Sequence, residues 1–429
     1  MGAPSPQLTH GAHAKTPHPV WWSNAIFFVG MHIATAIAVL LRPPSQVSRL
    51  SLCLTIILSQ TASMGITVGY HRMYSHRAFR APWPIRLALA LIGASAFQGS
   101  IKVRLCLRHR LHHRFTDDPV HDPYSATRGF LWSHMGWIFF KSRYERLESI
   151  DRKDLDRDPI VRFQHNFYVP LALLTGFVLP PTLGLLWQDP IGAFVYGGLV
   201  ARLLTWHCTF LVNSLAHWDG LQPYSDDNTS RTNLLLALLT CGEGNHNFQH
   251  SFPHDYRSGP SALDWDPSKW VIVFLHSLGL VSGLRRAREE EIRTAREHML
   301  CKEIAQVHTD GQGVGSDTTS GSQEEHEDWQ GPIWTVEQLT DYARGEGRCV
   351  LLLDGYAVNA TEYLAEHPGG ASLLRRYAVG SKTPKLPENA PSPSCASASD
   401  ADWAFYGGIN KHTMAAQRQM RRLRVAQVQ

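Results

Sequence analysis

His109, His112 and His113 form an HxxHH cluster. On a helix, positions i, i+3 and i+4 share a face, so this spacing predicts three imidazoles presented to one point, a metal site in outline. His71 and His76 precede it, His246 and His250 follow, and Asn213 stands one helical turn before His217. One such cluster reads equally well as solvated surface histidines, but three in one chain favour a metal. The candidate ligands are His71, His76, His109, His112, His113, His217, His246 and His250, eight imidazoles, too many for one ion. Two metals are therefore expected. Magnesium and calcium prefer oxygen; structural zinc needs only four ligands, and hydrolytic zinc sites usually add carboxylates. Iron, a redox metal that suits imidazole, is the expectation. Asn213 is read as holding a metal-bound water through its amide, against the blander alternative of a polar cap on a helix end. His71 and His76 lie five positions apart and diverge by about 140° on a continuous α-helix at ~100° per residue. The helix carrying them is thus expected to end there and let the two reach different metals.

The elements that must position these ligands are apolar. Val20 to Leu41, Leu50 to Tyr70, Phe167 to Trp187 and Ile191 to about Asn213 are each about the ~20 residues a spanning helix needs. Short polar turns, Arg42 to Arg49 and Gln188-Asp189-Pro190, join them into two hairpins. Arg202 interrupts the fourth run and is expected to face protein, water or the interface. Residues 71–166 are rich in Lys and Arg, which places this loop, all three histidine clusters and both termini on the cytosolic side. Leu87 to Phe97, Gly129 to Phe140 and Trp270 to Leu280 are too short or amphipathic to span and are expected at the interface or under the metal site. The net charge of the 429 residues is only +4, with no basic stripe, so a nucleic-acid partner is excluded. Seven scattered cysteines without CxxC spacing indicate a reducing compartment rather than a disulfide framework.

Residues 1–19 read as a flexible tail, 20–285 as the membrane unit and 286–331 as a charged, solvated helix with a Gly/Ser/Thr/Glu linker. Residues 332–429 form a small α+β unit, with a strand near Cys349 to Asp354 and an unpatterned insertion at about 380–399. The fold class is therefore mainly α.

The runs Gly65 to Phe79, His109 to Asp118, Asp122-Pro-Tyr124 with Arg128 to Trp137, Asn213 to Trp218 and Gly242 to Pro253 resemble the membrane fatty acyl-CoA desaturases of the stearoyl-CoA (delta-9) type. The C-terminal His367-Pro-Gly-Gly and Gly407-Gly-Ile-Asn-Lys-His412 resemble cytochrome b5, and the fused order resembles the fungal desaturases. These resemblances imply a non-haem di-iron centre that activates O2, a b-type haem with His367 and His412 as axial ligands, and a fatty acyl-CoA substrate. They also imply an NAD(P)H-dependent cytochrome b5 reductase as donor and the endoplasmic reticulum membrane as location. Gln249 stands where the family's third box carries its middle histidine, an amide in place of an imidazole among the metal ligands. The family's aromatic and basic run before the second box is replaced by Arg104 to Leu107, which leaves Lys141 and Arg143 to meet the CoA phosphates. Thr55, Ser59, Thr61 and Met64 are read as setting channel depth, against simple helix packing. Two other readings stay open: a hydroxylase of the same di-iron class, and a weakly active or non-enzymatic haem-binding membrane paralogue.

Overall fold

The computed structural model describes residues 19–142, 144–310, 329–345, 347–365, 367, 370–381, 400–405, 412 and 414–429. The expected N-terminal tail up to residue 18, Arg143, and positions 382–399 of the expected insertion lie outside the described residues.

The chain is mainly helical, and four helices are long and apolar enough to cross a membrane: α1 (Trp22–Leu41), α2 (Arg49–Ser75), α3 (Tyr168–Trp187) and α4 (Pro190–His217). Ile26, Ile33, Leu40 and Leu41 of α1 are exposed, and only 11% of its apolar window is buried, which suits a hydrocarbon surround. One residue clips the two hairpins together. Asp189 caps α4 by accepting from the Gly192 N–H at 2.9 Å, and it also accepts from the Ser48 N–H at 3.0 Å and the Ser51 hydroxyl at 2.8 Å. Arg202 is 1% exposed, so it faces protein, one of the environments expected for it.

The second span does not end at His71. Its last eleven residues, Gly65–Ser75, continue as π-helix, and the His76 N–H donates to the His71 carbonyl at 3.0 Å. An i→i+5 bond widens the turn until residues five apart share a face. The expected divergence of His71 and His76 is thereby overturned, because it assumed α-helical pitch. Helix Trp83–Ala94 packs closely on this segment: a Cβ on Gly65 would lie 2.5 Å from the Gly93 nitrogen.

Helix Glu289–Asp310 is less solvated than its charge pattern predicts. Ile292 and Ala295 are buried with Ala287 against Tyr224, Phe248 and Phe252, so the helix start braces the third histidine box. Beyond it, β1 (Ile333–Trp334), β2 (Val350–Leu353), β3 (Tyr356–Asn359) and β4 (Arg424–Val428) form one sheet in the order β1-β4-β3-β2. β1 pairs parallel with β4, and the other pairs are antiparallel. Leu351, Leu353, Val358, Tyr377 and Met420 form the apolar core of this α+β unit.

Candidate metal centres

The short helix Leu107–Arg114 divides its histidines between two clusters. His109 and His113, four apart, join His71 and His76; His112 turns the other way and joins His217, His246 and His250. The expectation that all three face one point is corrected by helix geometry, since adjacent residues differ by about 100° and His112 cannot follow His113. Within each cluster the ligand atoms all lie within 4.8 Å of one another. His76 Nε2 is 3.0 Å from His71 Nε2 and 2.9 Å from His109 Nε2. His246 Nε2 is 3.1 Å from both His217 Nε2 and His250 Nε2, and His112 Nε2 is 3.3 Å from His250 Nε2. Ligand nitrogens about 2.1 Å from a common cation stand about 3 Å apart, so the spacing fits one metal ion in each cluster. The clusters adjoin through His113 and His250, whose rings stack at 4.2 Å.

The outer ring nitrogens fix the ligands. His112 Nδ1 lies 2.9 Å from Asp122 Oδ1, which makes it the donor and leaves Nε2 free for a metal. His217 Nδ1 meets the Thr229 hydroxyl at 2.8 Å, and that hydroxyl donates to Asp117 at 2.7 Å. His71 Nδ1 lies 3.2 Å from Glu243 Oε2. Burial pushes Glu243 up, but His71 and the Arg72 guanidinium outweigh it and bring the carboxyl to about 2. Burial, with neighbouring histidines adding to it, holds His76, His109, His113, His246 and His250 well below the ordinary imidazole value, so each is neutral and ligand-ready. Gln249 belongs to the first cluster: its Nε2 lies 2.7 Å from His76 Nε2 and 2.9 Å from His113 Nε2, while its Oε1 is buried without a partner. Rotating the amide by half a turn about its last torsion presents the oxygen to the same point.

A cavity of about 800 Å³ opens beside the first cluster. His71, His109, Glu243 and Asn213 line its polar flank, while Phe28, Phe97, Ile66 and Trp206 line an apolar stretch. Lys141, expected to meet the CoA phosphates, lines it too; Arg143 lies outside the described residues. Arg108 also lines it, 4.8 Å from the Trp137 ring and 5.3 Å from that of Tyr144. The helix positions proposed for channel depth are corrected. The wall contributed by α2 is Ser63, Ile66, Thr67 and His71, whereas Thr61 is exposed, Thr55 donates to the Ser51 carbonyl and Ser59 to the Ile56 carbonyl. Those hydroxyls satisfy their own helix and leave the cavity to the neighbouring face.

In the C-terminal unit the rings of His367 and His412 are 6.2 Å apart and 23° from parallel. Two imidazoles on opposite sides of a metal at about 2 Å each have ring centres about 6 Å apart. His367 Nδ1 faces the Gly370 carbonyl at 3.4 Å and His412 Nδ1 the Phe405 carbonyl at 2.8 Å, contacts that orient the two rings. The surrounding Leu351, Leu353, Val358 and Phe405 supply the apolar walls that a haem macrocycle requires.

Reading the sequence alone missed Glu243, Asp122, Asp117 and Thr229 as supports, because residues that meet a histidine only through tertiary folding have no periodic signature. It also missed a histidine chain outside both clusters. His32 Nε2 lies 3.0 Å from His207 Nε2, and His207 Nδ1 lies 3.1 Å from His134 Nε2, which links α1, α4 and helix Phe130–His134.

The fatty acid desaturase family profile matches residues 48–258. The chain is 33% identical over 412 residues to the probable acyl-CoA desaturase of Schizosaccharomyces pombe, covering 95% of this chain and 77% of that protein. It is 35% identical over 369 residues to acyl-CoA desaturase 1 of Saccharomyces cerevisiae, covering 85% of this chain and 65% of that one. Against stearoyl-CoA desaturase 5 of Bos taurus it is 34% identical over 282 residues, 64% of this chain and 83% of the bovine one.

Proposed function

The chain belongs to the fatty acid desaturase family, and on that premise we propose that it introduces a double bond, at the delta-9 position, into a long-chain fatty acyl-CoA, with two irons at the histidine clusters and electrons from its own haem unit. The observation that carries this reading is the pair of four-histidine clusters, one of which opens onto an apolar cavity through His71 and His109. When bound, the two irons supply the oxidising power, drawn from O2, that removes two hydrogens from adjacent carbons. The residues of the chain do the rest. Lys141 and Arg108 give the cavity the positive charge that CoA phosphates require. Ile66, Phe28, Phe97 and Trp206 bind the acyl chain, exclude water and hold it in one register past His71 and His109. Asp122 and the Asp117–Thr229 pair hold His112 and His217 with Nε2 turned inward. Asn213, on the cavity wall with His71 and His109, orients water there through its amide, and Gln249 presents its amide oxygen to the first cluster.

A haem unit as donor is supported by the paired rings of His367 and His412. The excess of Lys and Arg between the two hairpins supports a cytosolic position for both units on the endoplasmic reticulum, where a cytochrome b5 reductase would reduce the haem. Expression in a yeast strain that lacks its own acyl-CoA desaturase, with fatty acids profiled, tests the reading. Monounsaturated products restored by the wild-type chain are expected. Protein that accumulates and binds haem yet yields no unsaturated product, also as Gln249→His, overturns it.

A further inference from the structure

A second cavity, of about 760 Å³, lies between the desaturase unit and the C-terminal unit. One wall is apolar and carries His367 and His412; the opposite wall carries His113 and the arginines 77, 110 and 114. Two of these arginines are committed. Arg77 donates to Asp154 at 2.9 Å, and Arg110 donates to the same carboxylate at 2.6 Å. Arg114 differs. It is 7% exposed, its Nη1 donates to the Ser149 carbonyl at 2.8 Å, and its Nη2 is buried without a partner. Among the described residues no carboxylate lies within ion-pair distance of it. A buried guanidinium without a counter-charge is strongly unfavourable, and its planar fork matches a carboxylate. Arg114 is also close enough to His367 and Tyr377 to act on their charge.

A b-type haem is an apolar macrocycle with two carboxylates on one edge. The cavity offers an apolar wall on one side and an unpaired guanidinium on the other. From this we infer that Arg114 binds a haem propionate, so that the desaturase unit completes the haem site of the C-terminal unit. The inference rests on the haem reading above. It ties the haem edge to the second histidine box, since Arg114 directly follows His113 in the chain.

The test uses the full chain in detergent, titrated with haem and with haem dimethyl ester, in which both carboxylates are neutralised. Wild-type protein is expected to bind free haem at least tenfold more tightly than the ester. Arg114→Gln is expected to lose that preference and to lower the haem midpoint potential, because a cation beside the haem favours the ferrous state. Arg114→Lys retains the charge and is expected to hold the potential near wild type with weaker haem binding. Arg77→Gln, on the same wall but paired to Asp154, is expected to keep both. Equal wild-type binding of haem and ester overturns the inference even where Arg114→Gln fails to fold, and so does a wild-type preference and potential in Arg114→Gln. Failure of the haem reading itself looks different: wild type takes up no haem, or His367→Ala takes it up equally well.

Discussion

At the scale of single residues, the site depends on groups that touch no metal. Asp122 is buried and holds His112 through Nδ1. Asp122→Asn keeps the shape but exchanges a carboxylate for an amide, and iron affinity at the second cluster is expected to fall 10- to 100-fold, measured as iron retained against a chelator. Gln249 makes the first cluster unlike the second. Gln249→Leu removes the amide from that point and is expected to lose close to one iron per chain. Gln249→His supplies a stronger ligand and is expected to keep both, with an altered Mössbauer spectrum. Unchanged iron content and spectrum in both variants would exclude Gln249 from the first cluster's ligands.

At the scale of elements, close helix contacts position the ligands. Gly65 and Gly93 let helix Trp83–Ala94 lie directly against the π-helical end of α2 that carries His71. Gly65→Val inserts side-chain atoms where a Cβ already lies 2.5 Å from backbone. A loss of about 3 kcal/mol, the upper end for an overpacked core, is expected as a lowered thermal midpoint, with iron released at lower temperature. His207→Leu cuts the chain from His32 to His134 and is expected to lower stability by about 0.6–1.7 kcal/mol, the range for polar contacts between membrane helices. The segment after the second span is held by charge. Burial raises Asp154, but Arg110 and Arg77 overcome it and bring its carboxyl to about 2. A depressed folded-state value stabilises the fold above the unfolded carboxylate value and is lost as the pH falls from about 4 towards 2. Acid unfolding of wild type in that window is therefore expected to be less pronounced in Asp154→Asn, which is already destabilised at neutral pH. The half-exposed setting of Asp154 keeps that difference small.

At the scale of the whole molecule, two histidine sites face one another across a shared cavity. His113 and His250 line it from the desaturase side, His367 and His412 from the other. In the proposed function, fusing donor to acceptor replaces a bimolecular encounter by a fixed one at high effective concentration. His412→Ala is expected to abolish the haem spectrum and the product formed by the chain alone, and added soluble cytochrome b5 is expected to restore product in part. The ion pair between Arg422 and Glu291 across the units, 3.3 Å long and partly exposed, contributes little; Glu291→Gln is expected to leave Tm within a degree or two.

The eight histidines of the two clusters and the four apolar helices were legible in the sequence, because ligand type and hydrophobic length are local properties. The partition of those histidines was not. Whether His76 shares a metal with His71 depends on a π-helical turn, and whether His112 sides with His217 depends on which helix packs opposite it. Likewise the charge pattern of residues 285–300 reads as a solvated connector, and only the packing of Ile292 and Ala295 against Phe248 and Phe252 makes it a brace. The sequence by itself determined which side chains can act as ligands and which helices are long and apolar enough to cross a bilayer. Tertiary structure alone decided which of those atoms meet at one point and which carboxylates stand behind them. It also brought the buried charge of Arg114 into the cavity lined by His367 and His412, because long-range contacts leave no periodic trace in the chain.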